Sequence, residues 1–358
     1  MGFHGFKELN FMLEQLHGLR RVMRGILLNG RLSRVRRVLE RKPLLLKIET
    51  INACNARCVF CPYEKMKRKK TILSEALYKK ALSDYSELDG GPVSLTPVVG
   101  DFLLDPDVCS RLRIAREYQA ITDLTFTTNL VAHERLSSEA WKYILSETRC
   151  VTVSLGGYDE KTYEELYGID AFDVVMAGVR RLAKIRTEHH LKKVSLVVAL
   201  RFRDEAQSSM RQNIVESLRS IGCDHVSFIS KFSNWGGKVD DVCLSSGLQV
   251  WRSGVFRGPC VMPATALAVL SNGRITACSC VDCEGELDMG DIAMDSLSSV
   301  WTGEPLSCLR KGFSVGKVPS LCRACSFYSS SDEVLRMAPF LGATSQHLPE
   351  SYYFEFGA

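Results

Sequence analysis

The feature that most constrains this chain is a short loop that carries three cysteines. Cys54, Cys58 and Cys61 are separated by three and then two residues, and they follow the mostly apolar run 44–48. A loop with this spacing places three thiolates on one face of an iron-sulfur cube, which needs four ligands and therefore keeps one iron open. Buried or disulfide-bonded cysteines are the alternative. A strand followed by a cysteine-rich loop, without a secretory signal, favours metal or redox chemistry instead.

Composition is that of a globular protein with ample material for a core. The 358 residues are 46% hydrophobic, which allows two domains of ordinary size. No apolar run approaches the roughly 20 residues that a membrane-spanning helix needs, and the first residues do not resemble a signal peptide. We therefore expect a cytoplasmic protein. In such a reducing compartment several of the 14 cysteines are expected to be ligands.

The positive charge is concentrated at the front of the chain. Residues 1–43 combine many arginines and lysines with apolar residues at helical spacing, which predicts a basic amphipathic helical extension. The helix either packs beneath the main domain or contacts an anionic surface, such as a membrane or a phosphate-bearing substrate. Nucleic acid is not expected, because no aromatic residues alternate with the arginines as a stacking platform requires.

Residues 44–232 alternate short strand-like runs with helical patterns. The predicted strands are 44–48, 93–95, 124–126, 151–154, 194–200 and 225–229. Six strand-helix repeats predict an α/β fold with a parallel sheet and right-handed crossovers. Sites in such sheets gather at the C-terminal ends of the strands, where the Cys54 loop lies.

A second group of cysteines follows a predicted linker over 233–258. Cys260 and Cys278 flank a predicted β-hairpin, whose Asn272-Gly273 pair indicates a type I′ turn. Cys322 and Cys325 complete a set of four thiols in a small domain over 259–327, ahead of a tail over 328–358. Four thiolates suit a fully coordinated cluster and zinc equally well on geometry alone.

The first loop, with Phe60 before its third cysteine, resembles the hallmark of the radical S-adenosylmethionine (SAM) enzymes. This resemblance implies an open (β/α)6 partial TIM barrel and a 4Fe-4S cluster whose open iron chelates SAM. It also implies an external electron donor, such as flavodoxin or ferredoxin. Reductive cleavage of SAM then gives a 5′-deoxyadenosyl radical that abstracts hydrogen from a substrate.

The resemblance also implies positions that contact SAM. The segment 99–102 stands where the family has a Gly-Gly-Glu-Pro stretch whose backbone meets the methionyl amino group. Thr128-Asn129 resembles a Thr-Asn-Gly motif, and 153–157 resembles a Ser-Leu-Asp-Gly stretch in which Gly156 replaces the acid. Arg201, the first charge after a long apolar run, is placed to meet the SAM carboxylate, or else simply leaves the core. The expected cofactor-binding residues are Phe60, Gly100, Asp101, Asn129, Ser154 and Arg201.

The second cysteine group resembles the auxiliary-cluster domains called SPASM and twitch. The resemblance implies an auxiliary 4Fe-4S cluster held by Cys260, Cys278, Cys322 and Cys325. No cysteine follows Cys325, which favours the shorter twitch form with one auxiliary cluster. Cys280 and Cys283 stand outside this set. They are alternative ligands, buried thiols, or hydrogen-atom donors near the substrate.

These features together predict abstraction of hydrogen from a small polar metabolite such as a sugar, aminocyclitol or nucleoside. Oxidation is the expected outcome, with the auxiliary cluster accepting an electron. The alternatives are modification of a ribosomal peptide, epimerisation with a cysteine hydrogen donor, and a non-catalytic metal-binding or electron-carrier protein. The basic run 65–70 is either a solvated face or a feature that steers an anionic substrate.

Overall fold

The structure is a computed structural model that describes residues 33–203, 208–251 and 255–337. Nine of its strands form one sheet in the order β11-β10-β9-β1-β2-β3-β4-β5-β6. The strands of this sheet are β1 (Leu45–Ile48), β2 (Gly91–Ser94), β3 (Ile121–Thr128), β4 (Cys150–Gly156), β5 (Ser195–Arg201), β6 (His225–Ile229), β9 (Ala266–Val269), β10 (Arg274–Thr276) and β11 (Asp288–Asp291). A separate parallel pair consists of β7 (Lys231–Phe232) and β8 (Gln249–Val250).

The helices of the core connect its parallel strands. They are α1 (Glu75–Glu87), α2 (Val108–Glu117), α3 (Ser138–Glu147), α4 (Glu160–Tyr167), α5 (Phe172–Glu188) and α6 (Ser208–Ile221). Those that follow are α7 (Asp240–Ser245), α8 (Val261–Thr265), α9 (Leu297–Thr302), α10 (Glu304–Ser314), α11 (Ser320–Ala324) and α12 (Ser331–Met337). Within the described ranges, none of these helices is long and apolar enough to cross a bilayer.

Strands β1 to β6 are parallel and adjacent in chain order. This confirms the predicted α/β fold with six strand-helix repeats. The sheet stays open because β6 and β11 are its two edges. An open sheet of this kind leaves the concave face and the C-terminal strand ends accessible to ligands.

The two faces of the sheet differ in chemistry because side chains alternate along each strand. Leu46 and Ile48 of β1, like Leu124 and Phe126 of β3, belong to the apolar core. The intervening residues Leu45, Lys47 and Thr127 line a cavity on the opposite face. The alternation therefore gives a helix-packed outer face and a more polar inner face.

The hairpin of the C-terminal region extends the core sheet. Strand β9 pairs in parallel with β1, with Leu45 opposite Ala266 and Ile48 opposite Val269. Strand β10 then pairs antiparallel with β9, as predicted. The second group of cysteines is thereby fixed beside the first strand of the core.

The predicted type I′ turn at Asn272-Gly273 is wrong. That turn needs positive φ at both residues, whereas only Gly273 has it, with φ +86°. Leu270 accepts from the Gly273 N–H at 2.8 Å and donates to the Arg274 carbonyl at 2.8 Å, so the loop has three residues. The physical reason lies in Ser271, whose N–H and hydroxyl both bond the buried Glu49 carboxylate, at 3.1 and 2.9 Å.

The predicted extensions are only partly described. Most of the basic segment 1–43 lies outside the described residues, apart from 33–43, of which 33–39 are helical. The Leu39 carbonyl accepts from Trp301 Nε1 at 2.8 Å, which ties this helix to α9. In the predicted linker, helix α7 and strand β8 are ordered elements. Of the predicted tail, residues 338–358 lie outside the description.

Candidate active site

The three-cysteine loop follows β1 and is held in place by helix α4. The N–H groups of Arg57 and Val59 donate to the carbonyls of Tyr167 and Leu166 at the end of that helix, at 2.9 and 3.0 Å. Within the loop, the Cys61 N–H donates to the Cys58 carbonyl at 3.0 Å. The loop is therefore fixed by backbone hydrogen bonds independently of any ligand.

Gly168 permits this contact between α4 and the loop. It ends α4 in the left-handed conformation, with φ +65°. A Cβ atom at this position would lie 2.6 Å from the Arg57 carbonyl oxygen. Only glycine combines the required φ with this close approach of two backbones.

Asn129, at the end of β3, contacts the loop directly. Its side-chain amide donates to Asn55 Oδ1 at 2.8 Å and to the Cys54 sulfur at 3.6 Å. Asp101, in the loop after β2, binds the end of β3, because its carboxylate accepts from the Asn129 N–H at 2.7 Å and from the Thr128 hydroxyl at 2.9 Å. Its own N–H donates to the Ala53 carbonyl at 2.8 Å. Residues 99–102 thus lie against the beginning of the cysteine loop.

The Asp101 side chain is enclosed by protein. It is 2% exposed, and burial raises the pKa of its carboxyl to about 6 although three donors stabilise the charged form. The side chain therefore orients the loops after β2 and β3. The backbone contact with a cofactor that the resemblance implies at Gly100 and Asp101 stays a prediction.

Ser154, Arg201 and Phe60 meet around Tyr167. The Ser154 and Tyr167 hydroxyls are hydrogen-bonded at 2.6 Å, and Arg201 donates to Ser154 Oγ. The guanidinium carbon of Arg201 lies 5.4 Å from the centroid of the Phe60 ring, which also stacks on Phe232 at 5.0 Å. These groups come from β4, β5, α4 and the cysteine loop, and together they form a cationic corner beside the thiols.

The three cysteines of the loop are half-buried in the folded chain. Burial raises the pKa of Cys54 to about 11 and that of Cys61 to about 12, while Arg201 lowers the pKa of Cys58 and of Cys61 as a minor contribution. Cysteine binds a metal as the thiolate, so binding of a cluster has to displace the protons of these thiols. A bound cluster would supply the positive charge that stabilises the thiolates in this half-buried position.

The four cysteines of the second group line one cavity. Cys260 precedes α8, Cys278 follows β10, and Cys322 and Cys325 lie in and after α11. Two of these sulfurs accept hydrogen bonds from N–H groups, Cys278 from Val281 at 3.4 Å and Cys325 from Phe327 at 3.3 Å. Bonds of this kind to sulfur tune the potential of an iron-sulfur cluster.

Among the described residues, no three His, Cys, Asp or Glu side chains converge closely enough to hold one metal ion. A zinc site has all four sulfurs about 2.3 Å from one atom.

A cavity of about 210 Å³ lies between the two thiol groups on the inner face of the sheet. Cys280, Val281 and Phe327 line this cavity as well as the cavity of the second group, so they form the wall between them. Cys283 lines neither cavity. It is fully buried in a small apolar cluster near Cys54 and Cys61.

The basic run 65–70 does not line this central cavity. Lys65 forms an exposed ion pair with Asp241 at 2.6 Å, and the Lys70 amine lies 4.6 Å from the centroid of the Tyr63 ring. Arg68 is buried and paired with Glu49 at 2.5 Å. One member of the predicted solvated run is therefore part of the core.

Sequence reasoning missed two residues of the site. Lys47 lines the central cavity and donates to the Ser279 carbonyl at 2.7 Å. Its signal was a lone charge inside the apolar run 44–48. Tyr167 gave no signal, because its contacts with Ser154 and Arg201 depend on how α4 packs against the sheet.

Two family models match the chain. Residues 48–205 match the model described as the Radical SAM superfamily, and residues 260–326 match the iron-sulfur cluster-binding domain SPASM. The first match contains the Cys54 loop, β2 to β5 and their connecting segments. The second contains the four cysteines of the second group, Cys260, Cys278, Cys322 and Cys325.

Individual relatives are distant. A SAM-dependent 2-deoxy-scyllo-inosamine dehydrogenase of Niallia circulans is 24% identical over 294 residues, 81% of this chain and 95% of that protein. A probable GTP 3′,8-cyclase of Sulfurisphaera tokodaii is 31% identical over 144 residues, 39% of this chain and 42% of the cyclase. The chain thus aligns with less than half of that cyclase.

Solved structures share the fold. The crystal structure of BtrN in complex with AdoMet and 2-DOIA has a TM-score of 0.54 at 19% identity, covering 80% of this chain and 94% of that chain. Streptococcus suis SuiB bound to precursor peptide SuiA has a TM-score of 0.56 at 17% identity, covering 80% and 70%. At these identities the likeness establishes the fold alone.

Proposed function

The chain is a radical SAM enzyme with a C-terminal SPASM domain, and on this premise we propose that it dehydrogenates a small polar metabolite. Its cofactors are SAM, a 4Fe-4S cluster and auxiliary iron-sulfur clusters. When bound, these groups supply a hydrogen-abstracting 5′-deoxyadenosyl radical and an acceptor for one electron. The protein's part is to bind, orient and enclose the reactants.

The residues that hold these groups are assigned from their positions. Cys54, Cys58 and Cys61 are the proposed ligands of the first cluster. Cys260, Cys278, Cys322 and Cys325 are the proposed ligands of one auxiliary cluster. Both sets consist of thiols, the donors that iron-sulfur clusters prefer.

The Ser154-Tyr167-Arg201 group is the proposed binding site for the SAM carboxylate. Arg201 supplies a permanent positive charge, and its hydrogen bond to Ser154 fixes the direction of the guanidinium. Tyr167 in turn fixes Ser154. Asn129 orients the Cys54 side of the loop, and the Phe60 ring lies under the guanidinium.

The observation that carries the proposal is the cavity between the two thiol groups. Its volume of about 210 Å³ is below the 300–1,000 Å³ of ordinary small-molecule sites, and it is lined by both hydroxyls and apolar groups. A compact metabolite suits such a space better than a peptide does. The 95% coverage of the dehydrogenase from Niallia circulans supports the same substrate class.

Epimerisation is the second candidate, and the position of Cys280 favours it. Cys280 lines the central cavity and also the wall toward the auxiliary cysteines. As a hydrogen donor, it would break its S–H bond while a C–H bond forms on the substrate radical. The remaining sulfur radical then needs one electron and one proton, from an external reductant such as flavodoxin or ferredoxin and from solvent.

The core of the proposal is tested by SAM cleavage. The reconstituted enzyme, reduced with dithionite under anaerobic conditions, should convert SAM to 5′-deoxyadenosine. The Cys54→Ala, Cys58→Ala, Cys61→Ala triple variant should not, and its iron should fall from about eight to about four per chain. Cys308→Ala, on the exposed cysteine of α10, is the matched control and should keep both. Absence of 5′-deoxyadenosine above the triple-variant background would contradict the proposal.

The two outcomes are separated by product mass in D2O. Dehydrogenation gives a product lighter by two hydrogens, whereas epimerisation adds one solvent deuterium at unchanged composition. Cys280→Ala should abolish deuterium incorporation only in the second case. Zinc in place of iron at the auxiliary cysteines would contradict the electron-acceptor assignment.

A further inference from the structure

The inner face of the sheet is rich in hydroxyl groups. Ser94, Thr96 and Thr127 line the central cavity. By strand alternation, Thr125 faces the same side as Thr127, and Ser227 the same side as Ile229, which also lines the cavity. The buried hydroxyls of Thr125 and Ser227 have no hydrogen-bond partner among the described residues.

Unpartnered buried hydroxyls are unusual in a folded protein. Such a hydroxyl is unfavourable unless water or another polar group supplies a partner. The hydroxyls that line the cavity itself are those of Ser94, Thr96 and Thr127, and a wall of this kind suits a ligand that has several hydroxyls of its own.

The charges of the same cavity have one sign. Lys47, Arg201 and Lys231 line it, and its described lining contains no aspartate or glutamate. Lys47 is half-buried in the middle of β1, where its amine is positioned by the Ser279 carbonyl at 2.7 Å. Lys231 is exposed just beyond β6, with its amine 5.3 Å from the centroid of the Trp251 ring.

These charges are separate from the basic run of the sequence. Lys65 and Arg68 are engaged by Asp241 and Glu49, and residues 65–70 do not line the cavity. Arg201 is tied to Ser154 and is assigned above to the cofactor carboxylate. The two lysines of the cavity wall are Lys47, from β1, and Lys231, from β7.

We propose that the cavity binds a small polyhydroxylated molecule that carries a phosphate ester, with Lys47 and Lys231 binding the phosphate. This inference rests on the proposed function, because it takes the central cavity as the substrate site. Two ammonium groups neutralise the two charges of a phosphate monoester, and lysine binds phosphate as a point charge. The hydroxyl-lined face binds the rest of the molecule.

The test measures binding by equilibrium dialysis of the anaerobic holoenzyme with SAM. The probe is radiolabelled glucose 6-phosphate, and the competitors are inorganic phosphate, gluconate and glucose. We expect the probe to bind and inorganic phosphate to displace it, with gluconate weaker and glucose weaker still. Equal competition by all three, or no binding of the probe, would overturn the inference without use of any variant.

The variants assign the charges. Lys47→Met and Lys231→Met should each weaken probe binding about tenfold to a hundredfold, the range of one charge-assisted hydrogen bond. Lys47→Arg should recover part of the loss, because it keeps the charge. Lys65→Met, an exposed lysine outside the cavity, is the matched control and should bind as wild type does. Iron content and circular dichroism check that each variant folds.

Failure of this inference is distinguishable from failure of the proposed function. If wild type cleaves SAM but phosphate binding is unchanged in both lysine variants, the phosphate assignment is overturned and the enzyme class stands. If wild type forms no 5′-deoxyadenosine, the proposed function itself fails.

Discussion

Replacing Arg68 with methionine removes one half of a buried ion pair that joins three parts of the site. The side chains of Arg68 and Glu49 are 5% and 0% exposed, with Nη1–Oε1 at 2.5 Å and Nη2–Oε2 at 3.1 Å. The Glu49 carboxylate also accepts from the N–H groups of Val98 and Ser271, both at 3.1 Å. The pair therefore connects the end of β1, the loop after β2 and the β9-β10 turn.

The expected cost follows from what remains buried after the change. Breaking a buried pair by removing one partner costs about 3–5 kcal/mol, because the other charge stays without compensation. Glu49 keeps several N–H and O–H donors, which favours the lower end, about 3 kcal/mol. The hydrogen bond from Arg68 Nε to the Cys283 carbonyl at 2.9 Å is lost as well, for about 1 kcal/mol more.

The assay is anaerobic thermal unfolding of the holoenzyme followed by circular dichroism. At about 2 °C per kcal/mol for a chain of this size, Arg68→Met should lower Tm by about 8 °C. Lys65→Met is the matched control from the same run. Its partner Asp241 is exposed, so Lys65→Met should leave Tm close to that of wild type.

A double variant tests the reason for the effect. Glu49→Gln combined with Arg68→Met removes the uncompensated charge but keeps an oxygen that accepts from the N–H groups. It should be more stable than Arg68→Met alone. A Tm of Arg68→Met equal to that of Lys65→Met, or a double variant that shows the sum of both single losses, would refute the reasoning.

Three further predictions concern the loop and its neighbours. Gly168→Ala should reduce bound iron and lower Tm, because at φ +65° its Cβ would lie 2.6 Å from the Arg57 carbonyl oxygen. Gly247 also has a positive φ but open space around it, so the iron content of Gly247→Ala shows the effect of backbone strain without a clash. Tyr167→Phe should raise the KM for SAM several-fold with little change in Tm, since it removes the hydrogen bond with Ser154 at 2.6 Å and the weaker one from Arg201 at 3.5 Å. An unchanged KM would contradict the assigned carboxylate site. Burial raises the pKa of Asp101 from 3.8 to about 6, so its contribution to stability is present at low pH and is lost as pH rises through that range. Asp101→Asn should therefore gain stability relative to wild type as pH rises from about 4 to about 7, by up to about 3 kcal/mol for a two-unit shift, and a constant Tm difference over that range would contradict it.

The sequence by itself determined the class of fold and of chemistry. Alternating strand and helix patterns predicted six parallel strands, and all six are found, because hydrophobic periodicity reports which faces must be buried. The spacing of Cys54, Cys58 and Cys61 predicted an iron-sulfur loop, because one short loop limits where three thiols can lie. The order of the predicted strands also placed this loop at the C-terminal end of β1.

Only the tertiary structure decided which distant residues meet. Three contacts join residues from different elements of the chain. They are the pairing of β9 with β1, the Glu49-Arg68 ion pair and the hydrogen bond of Tyr167 with Ser154. Local patterns carry no information on such pairs. They also gave the wrong turn at Gly273 and left Arg68 on a solvated face. Burial of a charge depends on whether a distant carboxylate comes within hydrogen-bonding distance, and packing alone sets that distance.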